Sequence, residues 1–138
     1  MNDCFQIITR YTTEKGAGGG RSDAAVDYAR LGDLSAALED GLRDVIETYL
    51  EDSPRLITAM RAAFARQDWP ELQRLAHSLK SSSGIFGARE MIAHCRSIES
   101  AALDHLPECS VTIAAAASAF QSISAELTAY LSGALGRN

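Results

Sequence analysis

Apolar side chains recur at helical spacing along most of this chain, and no stretch reads as a strand. The clearest run is Leu42, Val45, Ile46, Tyr49, Leu50, Ile57, Met60 and Phe64. Ser53-Pro54 falls inside it. The stripe resumes in phase beyond the proline, so the spacing predicts one long helix kinked at Pro54 rather than a new helix capped by Ser53. Asp68-Trp69-Pro70-Glu71 opens the next helix: Asp68 can cap the amide of residue 71, and Glu71 can return the bond in a capping box. That helix is expected to run to about Phe86, where Gly87 lets the chain turn. Met91, Cys95, Ile98 and Ala102 stripe a third helix, from Ala88 to about Leu103. Leu106-Pro107 ends it and can start the last, Val111 to Leu131, with Ile113, Ala116, Phe120, Ile123 and Leu127 on its stripe and Gly133 as a stop.

A weaker pattern precedes these four: Ala24, Tyr28, Leu31, Leu34 and Leu38, broken at Gly32-Asp33. It predicts a short helix or two packed across one end. Before it, residues 1–22 hold an apolar patch, Phe5 to Ile8, and then Lys15-Gly16-Ala17-Gly18-Gly19-Gly20-Arg21-Ser22. By composition that run is a flexible linker. A phosphate-cradling loop would need a G-K-[ST] and a buried strand before it, and has neither. The expectation is therefore all-α: an antiparallel four-helix bundle over residues 23–133 preceded by a short N-terminal helical segment, with a linker at 1–22 and a tail at 134–138.

Composition agrees. The 138 residues suffice for one domain and one core, and 46% apolar content with only 7% aromatic residues and 3 prolines favours helices over a sandwich or barrel. Cys4, Cys95 and Cys109 include no C-x-x-C pair, which points away from a disulfide framework or zinc site and suits a reducing cytoplasm. No segment approaches the roughly 18 apolar residues of a membrane span, and Met1-Asn2-Asp3 is acidic where a secretory signal is basic, so no membrane contact is expected. The net charge of -5 argues against nucleic acid as a partner. Its distribution is more telling. Residues 1–60 hold 6 basic and 11 acidic side chains and residues 97–138 hold 1 and 4, whereas residues 61–96 hold 6 and 3. The one net-basic segment suits a partner with an acidic or phosphorylated surface.

That segment carries His77. On a wheel that starts at Leu72 and advances about 100° per residue, Leu75, Ala76, Leu79, Ser83 and Phe86 fall within about 60° of the origin and form the buried stripe. His77 lies about 140° away, Lys80 about 80°, Ser81 about 180° and Gly84 about 120°. Helical side chains lean toward the N-terminus, so Lys80 and Ser81 tilt back toward the imidazole, which in turn leans over Gln73 and Arg74. Serines at 81, 82 and 83 are costly in a helix, and what they offer in exchange is an uncrowded surface. An accessible imidazole beside an ammonium suits phosphoryl transfer through a phosphohistidine: the neutral ring is a nucleophile, and the cation stabilises charge on the group in transit. With no nucleotide loop and no carboxylate cluster for magnesium, such a chain would receive and pass on phosphate rather than hydrolyse ATP.

The residues Ala76-His77-x-Leu79-Lys80-x-Ser82-Ser83-Gly84-x-x-Gly87-Ala88 resemble the signature of histidine-containing phosphotransfer (HPt) domains of bacterial phosphorelays. The resemblance extends over roughly residues 34–131, including Tyr49-Leu50-Glu51-Asp52 and the Asp68-Trp69 turn. It implies that His77 is the phosphoacceptor, that Lys80 helps hold the phosphoryl group, and that the bundle docks a response-regulator receiver domain supplying the aspartate and Mg²⁺. Partners would be receiver domains and a hybrid sensor histidine kinase. The chain itself would be a monomer with no cofactor of its own, taking phosphate from one receiver and delivering it to another. Gln73, Arg74, Ser81 and Gly84 are the candidate partner contacts. Ser81 departs from the commonest pattern, which has glycine there, and transfer is expected to survive with altered clearance.

Two other readings compete. A helical adaptor could bind a receiver or kinase without carrying phosphate. A metal site on His77 and His94 is the remoter one: His94 reads as a boundary residue and His105 as loop, neither with a ligand partner at helical spacing.

Overall fold

A computed structural model of the chain describes residues 24–135. The linker expected at 1–22 and the tail residues 136–138 lie outside the described residues. Among the described residues five α-helices follow one another: α1 Tyr28–Leu38, α2 Gly41–Ala65, α3 Trp69–Ile85, α4 Arg89–Leu103 and α5 Cys109–Tyr130, the last continuing into a π-helical turn, Leu131–Leu135. No strand occurs among the described residues. Helix α2 packs on α3, α3 on α4, α4 on α5, and α5 returns to α2, so four helices close around one core while α1 packs on α2.

The buried stripes of α3 and α4 are those the periodicity picked out, whereas Leu50 and Phe64 of α2 are only half-buried and Tyr28 of α1 is exposed. Leu72, Leu75, Ala76, Leu79 and Ser83 of α3 are buried, as are Met91, Cys95, Ile98 and Ala102 of α4. Helix α2 runs through Pro54 as a single helix. Four turns reverse the chain, each with a residue in the left-handed region: Glu39, Gln67, Gly87 and His105. At Gly87 (φ 62°) space adds to the requirement, because a Cβ there would stand 2.7 Å from the Cβ of Asp27.

Several local expectations are corrected. Gly32-Asp33 does not break α1; a helical glycine costs about 1 kcal/mol, and burying Leu31 and Leu34 on either side outweighs it at about 1.5–3 kcal/mol each. The capping box before α3 is half made. Asp68 accepts from the Glu71 amide at 3.2 Å, but Glu71 turns to Arg74, and the Asp68 amide bonds the Ala63 carbonyl at 2.8 Å. Gly133 lies within the π turn, where Leu131, still buried, keeps the chain on the core past the α-helical end.

The lead into α1 fastens the end of α3. The Asp27 amide donates to the Phe86 carbonyl at 2.9 Å, and Arg30 Nη1 donates to the Gly84 carbonyl at 2.9 Å. Gly84 is in the last turn of α3 and Phe86 is its C-cap, where carbonyls lack i+4 partners within the helix; the Gly84 carbonyl also accepts from the Gly87 amide at 3.1 Å. The lead is itself held by the Glu126 carboxylate, which accepts from the Ala25 and Val26 amides.

Candidate functional site

Helix α3 sits between α2 and α4, and its two flanks differ. At its base Ser83, fully buried in an apolar stripe, is hydrogen-bonded to the Tyr49 hydroxyl at 2.8 Å. The Tyr49 ring packs edge-on against Phe86, and burial pushes its phenol up to about 12, so it stays a neutral partner.

Toward α4, the His77 side chain is 63% exposed, and its Nδ1 lies 3.0 Å from Glu99 Oε2. The other oxygen of Glu99 is 2.6 Å from Lys80 Nζ. Burial alone would raise the Glu99 carboxyl, but the hydrogen bonds and charges of Lys80 and His77 hold it below the ordinary carboxylate range. An ionised carboxylate can only accept, so Nδ1 must donate. In the neutral ring the lone pair is then on Nε2, at the edge turned away from Glu99.

Toward α2, His77 borders an open groove of about 560 Å³. Ser78, Ser81 and Ser82 line its α3 wall, and Val45, Tyr49, Asp52, Arg55 and Leu56 line much of the wall formed by α2. The serines do what their cost implied: they keep the wall beside the imidazole low.

Of the residues singled out in the sequence, His77, Lys80 and Ser81 are brought into this region. Gly84 leaves open space, since a Cβ there would meet nothing within 4 Å. Arg74 is held in a two-pronged bond to Glu71 (2.9 and 2.6 Å), and neither it nor Gln73 lines the groove. Glu99, Arg55 and the Tyr49–Ser83 bond were not foreseen. For Glu99 there was a usable signal: it lies 22 residues beyond His77, almost symmetrically across the Gly87 turn. His94 does have a carboxylate one turn away, contrary to expectation, and its Nε2 is 3.4 Å from Glu90. His105 stacks on Trp69 in the loop after α4 (5.1 Å). Among the described residues no group of three or more His, Cys, Asp or Glu side chains is placed to hold a metal ion, and no helix is long and apolar enough to cross a membrane.

No curated protein sequence matches the chain. Among solved structures, histidine-containing phosphotransfer protein B (HptB) from Pseudomonas aeruginosa PAO1 is similar in fold, with a TM-score of 0.74 at 24% identity over 78% of this chain and 94% of that one. The model of the Hpt domain family matches residues 44–133, a span that runs from the first turns of α2 to the π turn and includes all of α3 and α4. The chain therefore belongs to the Hpt domain family, phosphocarrier modules that work with receiver domains and histidine kinases in phosphorelays.

Proposed function

We propose that this chain is a phosphorelay intermediate that accepts a phosphoryl group on His77 Nε2 from the aspartyl phosphate of one receiver domain and passes it to another. The observation that carries this reading is the bond from Nδ1 of an exposed imidazole to the ionised Glu99. It presents the free lone pair of Nε2 over a groove with room for a partner. The ring of α2 to α5 is read as an antiparallel four-helix bundle, which the short connections support.

In the transfer, the P–O bond of the aspartyl phosphate breaks as the Nε2–P bond forms, and the aspartate leaves as a carboxylate. Nδ1 keeps its proton, so the ring becomes cationic against the Glu99 carboxylate. An anion already in place for a developing cation stabilises the transition state without reorganisation. Delivery to the second receiver is the reverse. Lys80, a turn beyond His77 with its ammonium on Glu99, adds positive charge close to the transferred group. The receiver supplies Mg²⁺ and the aspartate.

His77→Gln should abolish acid-labile labelling by a phosphorylated receiver while the helical circular dichroism is unchanged. Labelling of that variant at the wild-type level overturns the assignment, and intact partner binding with no labelling of the wild type favours an adaptor. Lys80→Ala should slow transfer more than it weakens docking.

A further inference from the structure

Arg74 and Lys80 are the cations nearest His77 in sequence, three residues to either side, yet Arg74 is held by Glu71 and the Lys80 ammonium is occupied 2.6 Å from Glu99 on the α4 side. Nδ1 of His77 faces that same side. The two ring nitrogens diverge, so Nε2 is aimed away from α4. His77 also borders the groove between α3 and α2, so a group carried on Nε2 has that groove beside it. A phosphoryl group on Nε2 would bring three strong acceptor oxygens and close to two negative charges to the α2 side.

Arg55 is the cation placed there. Its side chain borders the same groove as His77. The pairing of α2 with α3 sets its height: Phe64 meets Trp69 near the turn, with ring centroids 5.8 Å apart, and Tyr49 meets Ser83 at the other end. In the register those two contacts define, the α2 residue level with His77 is Arg55. Packed helices lie roughly 8–10 Å apart, a gap that an extended arginine spans in large part. Among the described residues the Arg55 side chain has no ion pair or hydrogen bond. Asp52, a turn earlier, is the one carboxylate on the groove, and it does not pair with Arg55 either. The remaining walls are apolar or hydroxyl-bearing. A planar guanidinium is well suited to two oxygens of one phosphoryl group.

We infer that Arg55 is a phosphoryl-binding residue, closing on the group carried by His77 Nε2 from across the α2–α3 groove. This rests on His77 being the phosphoacceptor. Arg55 and Lys80 then divide the work, one meeting the phosphoryl oxygens and the other balancing Glu99.

The test uses the full chain labelled with phosphoramidate, in which a P–N bond breaks, ammonia leaves and the Nε2–P bond forms. Phosphorus NMR follows the titration of the phosphohistidine in wild type, Arg55→Ala, Arg55→Lys and, as a control on the same helix away from the groove, Arg61→Ala. A nearby cation favours the dianion, so Arg55→Ala should move the midpoint upward, Arg55→Lys should restore most of the shift, and Arg61→Ala should leave it alone. Transfer from the labelled chain to a receiver should fall about tenfold in Arg55→Ala, where docking excludes water from the pair. An Arg55→Ala midpoint equal to wild type overturns the role of Arg55 while leaving His77 as the acceptor. Absence of any phosphohistidine signal, in wild type and His77→Gln alike, removes both readings at once.

Discussion

The two neighbours of α3 treat it in opposite ways. On the α4 side the polar groups are satisfied: one carboxylate, Glu99, holds both His77 and Lys80. On the α2 side there is space, lined by Tyr49, whose hydroxyl is bonded to the buried Ser83, and by the hydroxyls of Ser78, Ser81 and Ser82. A transfer site needs both. An imidazole that must be presented in one tautomer needs a fixed partner, and a reacting phosphoryl group needs a way in.

The comparison can be broken from either side. The largest expected effect comes from filling the open flank: Ser81→Trp should cut transfer from a phosphorylated receiver roughly a hundredfold, the size of a lost interface hot spot. Its urea midpoint should stay close to wild type, because Ser81 is exposed. Equal transfer rates would mean that the groove is not the approach. On the closed flank, Glu99→Gln keeps the shape and removes the charge, and transfer should fall about tenfold, less than the roughly hundredfold that losing a stabilising group outright costs, because the amide can still bond Nδ1. Nitrogen NMR should find the neutral His77 protonated on Nδ1 in the wild type and divided between tautomers in the variant. A pure Nδ1–H form in both would show that Glu99 does not set the tautomer.

Below the groove the effects concern stability. Tyr49→Phe strands the buried Ser83 hydroxyl and should cost about 1–3 kcal/mol in urea unfolding, whereas adding Ser83→Ala should recover much of that. Additive losses would mean that the pair does not act as a unit. The smallest effect is in pH. The folded Glu99 carboxyl lies below its ordinary range, so its stabilisation is complete above about pH 4.5 and fades as pH falls through the lower folded value. The stability gap between wild type and Glu99→Gln should therefore be flat near neutrality and close only in acid. A gap that closes nearer pH 6 would assign the linkage to another group.

Periodicity was enough to place His77 outside and Leu72, Leu75, Ala76 and Leu79 inside, since burial on a helix follows from a repeat of 3.6 residues that neighbours in sequence share. It also marked Ser83 as out of place in an apolar stripe. Why that serine is tolerated was not legible, because its partner is 34 residues away on α2. Glu71 shows the same limit at short range: the capping box was available, but Arg74 offered the carboxylate two bonds.

What the sequence by itself determined was the set of helices, the turn at Gly87 and the exposed histidine with small residues beside it, all consequences of local spacing and backbone freedom. Only the tertiary structure decided which nitrogen of His77 is left open, that Lys80 is engaged by Glu99, and that the room lies toward Arg55. Those outcomes depend on how α2 and α4 are set in register along α3, and register is fixed by packing among residues far apart in the chain.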